Sequence, residues 1–162
     1  CRSITEGTER ILDIALLNSD KQIVIGGEES AVSEFISYTE TEKPGFSAAL
    51  LPVGQAFHTK LMESMLEPFG ECIDRITVRK PQIPVILNTT GAFYNNDDLK
   101  NEMLSHCVKP VQWEKTIREL LKTEDARIYE AGPGHTLSGF FRNMSKTKVI
   151  VMEDRKTFLR SL

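Results

Sequence analysis

The sequence predicts an α/β protein. Short β-rich apolar runs alternate with stretches whose apolar residues recur at helical spacing, and glycine- and proline-rich turn signals separate them. With 162 residues, 40% of them hydrophobic and 27% charged, the chain can bury one ordinary core.

Taken in order, the chain opens on Cys1 rather than Met and lacks the regions of a signal peptide. It enters Ile11-Leu12-Asp13-Ile14-Ala15-Leu16-Leu17 directly, as a trimmed or mid-domain start would. Gln22-Ile23-Val24-Ile25 reads as a strand stopped by Gly26-Gly27. Glu28 to Glu40 reads as a helix with Ala31, Val32, Phe35 and Ile36 on one face. After the turn-forming Lys43-Pro44-Gly45, Phe46 to Val53 is expected to be a mostly buried strand completing a β-α-β unit. The next helix starts near Thr59, with Leu61, Met62, Met65, Leu66 and Phe69 as its apolar stripe. Pro81 and Pro84 frame a short buried strand, Val85-Ile86-Leu87, which ends in the turn signal Asn88-Thr89-Thr90-Gly91.

Asp97-Asp98 can open a helix with Leu99, Met103 and Val108 inward. Pro110 suits the first turn of another, carrying Trp113, Ile117, Leu120 and Leu121. Arg127 to Ala131 is a strand, Gly132-Pro133-Gly134 a tight turn, and His135 to Met144 a short helix. A last strand, Val149 to Met152, precedes a charged tail over 153–162. The alternation implies parallel pairing.

Composition removes several function classes. The net charge is −3 and the basic residues are interspersed with acids, so no basic stripe argues for nucleic acid. The longest apolar run, Ala48 to Val53, is far below the ~20 residues of a membrane-spanning helix. Cys1, Cys72 and Cys107 are dispersed, which reads as reduced thiols of a cytoplasmic protein. His58, His106 and His135 lack metal-ligand spacing.

His58 is the most informative position. It follows an expected strand through Gly54-Gln55-Ala56-Phe57 and stands at the mouth of an expected amphipathic helix. Ligands of open α/β sheets bind at strand C-terminal ends. A helix N-terminus disfavours added positive charge, which suits a neutral imidazole that accepts a proton. Those are the needs of a general base, but a lone histidine at a loop–helix junction is more often structural or solvated, so position alone does not decide.

Five segments in order resemble the malonyl-CoA:acyl carrier protein transacylase and polyketide synthase acyltransferase family. They are Gln22 to Gly27, Leu51 to Thr59, Ile83 to Gly91, Pro110 to Trp113 and Tyr129 to Gly139. The resemblance runs from about 22 to about 144 and covers the C-terminal half of the family's domain. It implies an α/β-hydrolase-like large subdomain, present in part over 55–152, and a partial ferredoxin-like small subdomain over 1–54. It also implies ping-pong transfer of malonyl from coenzyme A to the phosphopantetheine thiol of an acyl carrier protein, in fatty-acid or polyketide synthesis. No cofactor beyond the coenzyme A thioester substrate is implied.

By this resemblance His58 is the catalytic base. Phe57 falls where malonyl-preferring members carry phenylalanine, although core packing would also explain it. Gln55 is a substrate-binding candidate that departs from the small or histidine residues of that position. His106 stands where the family commonly has glutamine, whose backbone carbonyl orients the base; a partly exposed helix-end histidine is the other reading. His135 follows the glycine–proline–glycine turn and reads as structural.

No glycine-x-serine-x-glycine occurs in the 162 residues. The nucleophile, the oxyanion hole and a carboxylate-binding arginine are therefore expected in an N-terminal half of the same domain, preceding Cys1. Retained acyl-carrier docking without catalysis, or an acyl hydrolase on the same fold, are the competing readings.

Overall fold

The computed structural model describes Cys1 and residues 5–95 and 98–152. The expected charged tail at 153–162 and Asp97 lie outside them.

The described residues form a mixed α/β fold with two small sheets. β1 (Leu12–Ser19) and β2 (Gln22–Gly27) form an antiparallel hairpin whose register shifts between Ile14 and Leu16 and again between Leu17 and Ser19. β1 was not expected as a strand, although its apolar run ends in the turn formers Asn18-Ser19-Asp20. α1 (Glu29–Glu42) lays Ala31, Val32 and Phe35 against Leu12 and Ile25, the core of this end of the molecule.

The expected strand over 46–53 is not formed. The segment is irregular and exposed, with Phe46 at 76%, Leu50 at 74% and Val53 at 64%. A strand needs a neighbour for its backbone groups, and among the described residues none pairs with it. The expected β-α-β unit is therefore a hairpin followed by a helix.

A 3₁₀ turn (Lys60–Met65) leads into α2 (Leu66–Asp74), so the expected single helix starts in tighter form. The expected strand at Val85-Ile86-Leu87 is only one side of a narrow turn, with a single antiparallel bridge from Ile86 to Phe93. Val85 is 42% exposed.

α3 (Leu99–Val108) is capped by Asp98, whose carboxylate accepts the N–H of Asn101 at 2.9 Å. α4 (Trp113–Leu120) begins after Gln112, which leaves Pro110 outside the helix rather than in its first turn. Val111 instead bridges to β1, its N–H donating to Ala15 O and its O accepting from Leu17 N–H, both at 2.9 Å. β3 (Ile128–Ala131) and β4 (Val149–Met152) pair in parallel around α5 (Thr136–Arg142). Parallel pairing thus holds for this pair, while β1 and β2 are antiparallel. No described helix is long and apolar enough to cross a membrane.

Candidate active site

His58 holds its backbone in the left-handed region, at φ 65°. That conformation is uncommon for a residue with a Cβ and costs about 1 kcal/mol or more unless its surroundings fix it. The C-terminal turn of α3 does so. The last carbonyls of a helix have no partner inside it, and His58 takes two of them. Cys107 O accepts the His58 N–H at 3.0 Å, and His106 O lies 2.7 Å from the His58 Nδ1.

A carbonyl oxygen only accepts, so Nδ1 carries the proton and donates. In the neutral ring the lone pair open to chemistry is then on Nε2. What the ring touches is the carbonyl end of α3, not the helix N-terminus that the sequence suggested.

Two strands fix the other side of the loop. Thr59 is fully buried and donates to Ala56 O at 2.6 Å. Gly26 on β2 lies directly beneath. A Cβ there would stand 3.0 Å from Thr59 Cγ2 and 3.3 Å from Ala56 Cβ. From β1, Asp13 accepts the N–H of Lys60 at 3.0 Å.

The His106 ring packs beside that of His58, with centroids 4.8 Å apart and planes tilted by 40°. Asn88 Nδ2 lies 3.1 Å from His106 Nε2. An amide NH₂ only donates, so Nε2 accepts and the His106 ring is neutral. Burial and the neighbouring His58 both hold His106 below the ordinary histidine value, with Glu102 pulling the other way. Asn88 O accepts the Gln112 N–H at 2.7 Å, and the neighbouring Thr89 hydroxyl donates to Glu102 at 2.5 Å.

Of the residues singled out in the sequence, His58 and His106 are brought together. Phe57 is 51% exposed on this chain. Gln55 is exposed beside it. His135 is exposed at the start of α5, where its carbonyl accepts from Ser138 Oγ at 2.9 Å. Sequence reasoning missed Asn88, whose turn signal was read only as a turn, and the carbonyl of Cys107. Burial pushes the Cys107 thiol up. Among the described residues no three His, Cys, Asp or Glu converge as metal ligands.

No protein-family model matches the chain. The polyketide biosynthesis protein ThaF of Burkholderia thailandensis is 32% identical over 139 residues, 86% of this chain and 12% of that protein. The polyketide biosynthesis malonyl CoA-acyl carrier protein transacylase PksC of Bacillus subtilis is 30% identical over 135 residues, 83% of this chain and 47% of that protein. The crystal structure of the malonyl CoA-acyl carrier protein transacylase from Clostridium perfringens superposes with a TM-score of 0.88 at 28% identity. The match takes in 98% of this chain and 51% of that one. The chain spans about half the length of these two transacylases. By sequence and fold together, it is a relative of the malonyl-CoA:acyl carrier protein transacylases and polyketide synthase acyltransferases, similar over most of its own length to part of theirs.

Proposed function

We propose that this chain is the histidine-bearing part of a cytoplasmic acyltransferase that moves malonyl from coenzyme A to an acyl carrier protein. The observation that carries the proposal is the His58 Nδ1 to His106 O hydrogen bond at 2.7 Å. It fixes the tautomer that leaves Nε2 as the base, and the ring's orientation with it.

In this reading a serine hydroxyl, supplied by an N-terminal half of the domain, gives its proton to His58 Nε2 and attacks the thioester carbonyl. The carbon–sulfur bond breaks, and the coenzyme A thiolate takes the proton back from the imidazolium. The carrier's phosphopantetheine thiol then gives its proton to Nε2 and attacks the serine ester. The serine oxygen leaves and regains that proton. The His106 carbonyl keeps the Nδ1–H through both halves, so the ring need not reorient between acid and base roles. Phe57 and Gln55, exposed beside the base, would face the acyl group. The reading divides the chain into small-subdomain residues 1–54 and large-subdomain residues 55–152, and the exposed apolar segment over 46–53 would be covered by the other half.

The test is intact mass of the chain, native and then denatured, after incubation with malonyl-CoA with and without the serine-bearing half. Gain of one malonyl on the serine polypeptide, lost with His58→Ala, is the expected result. A His58→Ala complex that acylates and transfers at the parent rate would overturn the assignment.

A further inference from the structure

We propose that Asn88 is a positioning residue for His58, holding the neutral His106 imidazole against the His58 ring so that the His106 carbonyl stays aimed at Nδ1. The role in transfer rests on the function proposed above; the contact network does not.

The His58 seat is the last turn of α3, and helix ends fray. Ordinary backbone bonds hold it only in part: Lys109 N–H donates to Ser105 O, and Val111 N–H to Ala15 O, both at 2.9 Å. Further ties come from the turn over 87–92. Asn88 contributes twice, its carbonyl to Gln112 N–H at the start of α4 and its amide to the His106 ring. Thr89 adds the bond to Glu102 one turn earlier on α3. A single residue therefore fastens the end of one helix to the beginning of the next, directly behind the group that accepts from His58.

The latch has a defined chemistry. As the amide stands, it donates to an unprotonated Nε2. Protonated His106 would offer a second N–H to that donor and a cation to the His58 ring 4.8 Å away. His58 faces His106 from the loop before the 3₁₀ turn, and Glu102 favours the cation from within α3. On α2, packed alongside, Asp74 is engaged by Lys100 at 2.5 Å in the opposite, first turn of α3. The turn over 87–92 brings no ionisable group of its own.

The experiment is a pH titration of the imidazole nitrogens by ¹⁵N NMR on the full chain, comparing the parent with Asn88→Leu and Asn88→Asp. In the parent, His58 should show the Nδ1–H tautomer and His106 should titrate below the ordinary histidine value. Asn88→Leu, which keeps the backbone carbonyl, should raise the His106 midpoint towards the ordinary histidine value and mix the His58 tautomers. Asn88→Asp, nearly isosteric, should raise the His106 midpoint further by pairing with the imidazolium, and it decides the matter where the leucine variant fails to fold. An unchanged His58 tautomer and an unchanged His106 midpoint in a folded variant overturn the proposal. In the complex with the serine-bearing half, Asn88→Leu should lower kcat on the order of 10-fold with KM unchanged. Should His58→Ala leave transfer intact there, the proposed function fails while the NMR result on Asn88 still stands.

Discussion

His58 closes the carbonyl end of α3 with two donors of one residue, its ring Nδ1–H to His106 O at 2.7 Å and its backbone N–H to Cys107 O at 3.0 Å. The first depends on the imidazole and the second on a left-handed backbone, so substitutions separate them. His58→Asn tolerates φ 65° better than most side chains and keeps the backbone bond. It should fold nearly as well as the parent yet lower transfer by about 10²–10⁴-fold in the reconstituted enzyme. His58→Val should be the less stable of the two by about 1–2 kcal/mol, because a β-branched residue is strained at positive φ. Urea unfolding ranks the pair.

Gly91 provides a sharper stability test. It has φ 66°, and a Cβ there would stand 2.3 Å from the Cβ of Lys115 and 3.2 Å from the backbone around Thr116. Gly91→Ala should cost about 3 kcal/mol, since both strain and the backbone of α4 resist it. Gly54→Ala, with open space and an ordinary φ, should stay within about 0.5 kcal/mol of the parent.

The depressed His106 gives stability a pH dependence with a definite sign. The unfolded chain protonates this ring at its ordinary value near 6.5, and the folded chain only at lower pH. Between the two the unfolded state holds more protons, so stability falls as pH drops below about 6.5 and levels off once the folded ring is protonated. Urea midpoints for the parent and His106→Gln, measured from pH ~7.5 down to ~5, should converge or cross as the parent loses its advantage. Parallel curves would contradict this.

Glu130 caps a helix from a distance. Its carboxylate accepts the N–H groups of Leu137 at 3.0 Å and Ser138 at 2.8 Å in the first turn of α5. Burial pushes this carboxyl up, but those backbone bonds, the Ser138 hydroxyl and the nearby His135 together outweigh it and the net shift is downward. Its contribution is therefore complete above the ordinary value near 4.5 and fades as pH falls through the lower folded value. Glu130→Gln retains one acceptor oxygen where two are used, and should cost about 1 kcal/mol at neutral pH. Faster amide exchange at Leu137 or Ser138 is the direct readout.

Phe57 addresses acyl choice. It precedes the base in the chain and is half exposed, so in the proposed enzyme it is placed to limit the acyl group. Phe57→Ser in the reconstituted enzyme should raise methylmalonyl over malonyl, in kcat/KM, by about 10-fold. An unchanged ratio would return Phe57 to a role in covering the other half.

The helices were legible because each carries its own apolar face. Ala31, Val32 and Phe35 on α1, and Ile117 on α4, lie inward as their spacing indicates. The strands were less so, because a strand is defined by its neighbour. The apolar run over 46–53 has the composition of a buried strand and no partner here, while β1 pairs with β2 and was overlooked for want of clean alternation. Its two register shifts explain that, since they break the period of two. In the site, His58 and His106 were both visible as residue types. What joins them is a pair of backbone carbonyls and the amide of Asn88, and a carbonyl has no signature in sequence.

The bridge between Leu16 and Val111 ties the first strand to a residue most of the chain away. On a ribosome, β1 leaves the exit tunnel long before its second neighbour has been synthesised, and contacts so distant in sequence form late. The imidazole of His58 is made in the same interval, ahead of the carbonyls that seat it. The nascent chain therefore carries its histidine unseated until α3 and the start of α4 have emerged, and vectorial synthesis delays completion of this site until then.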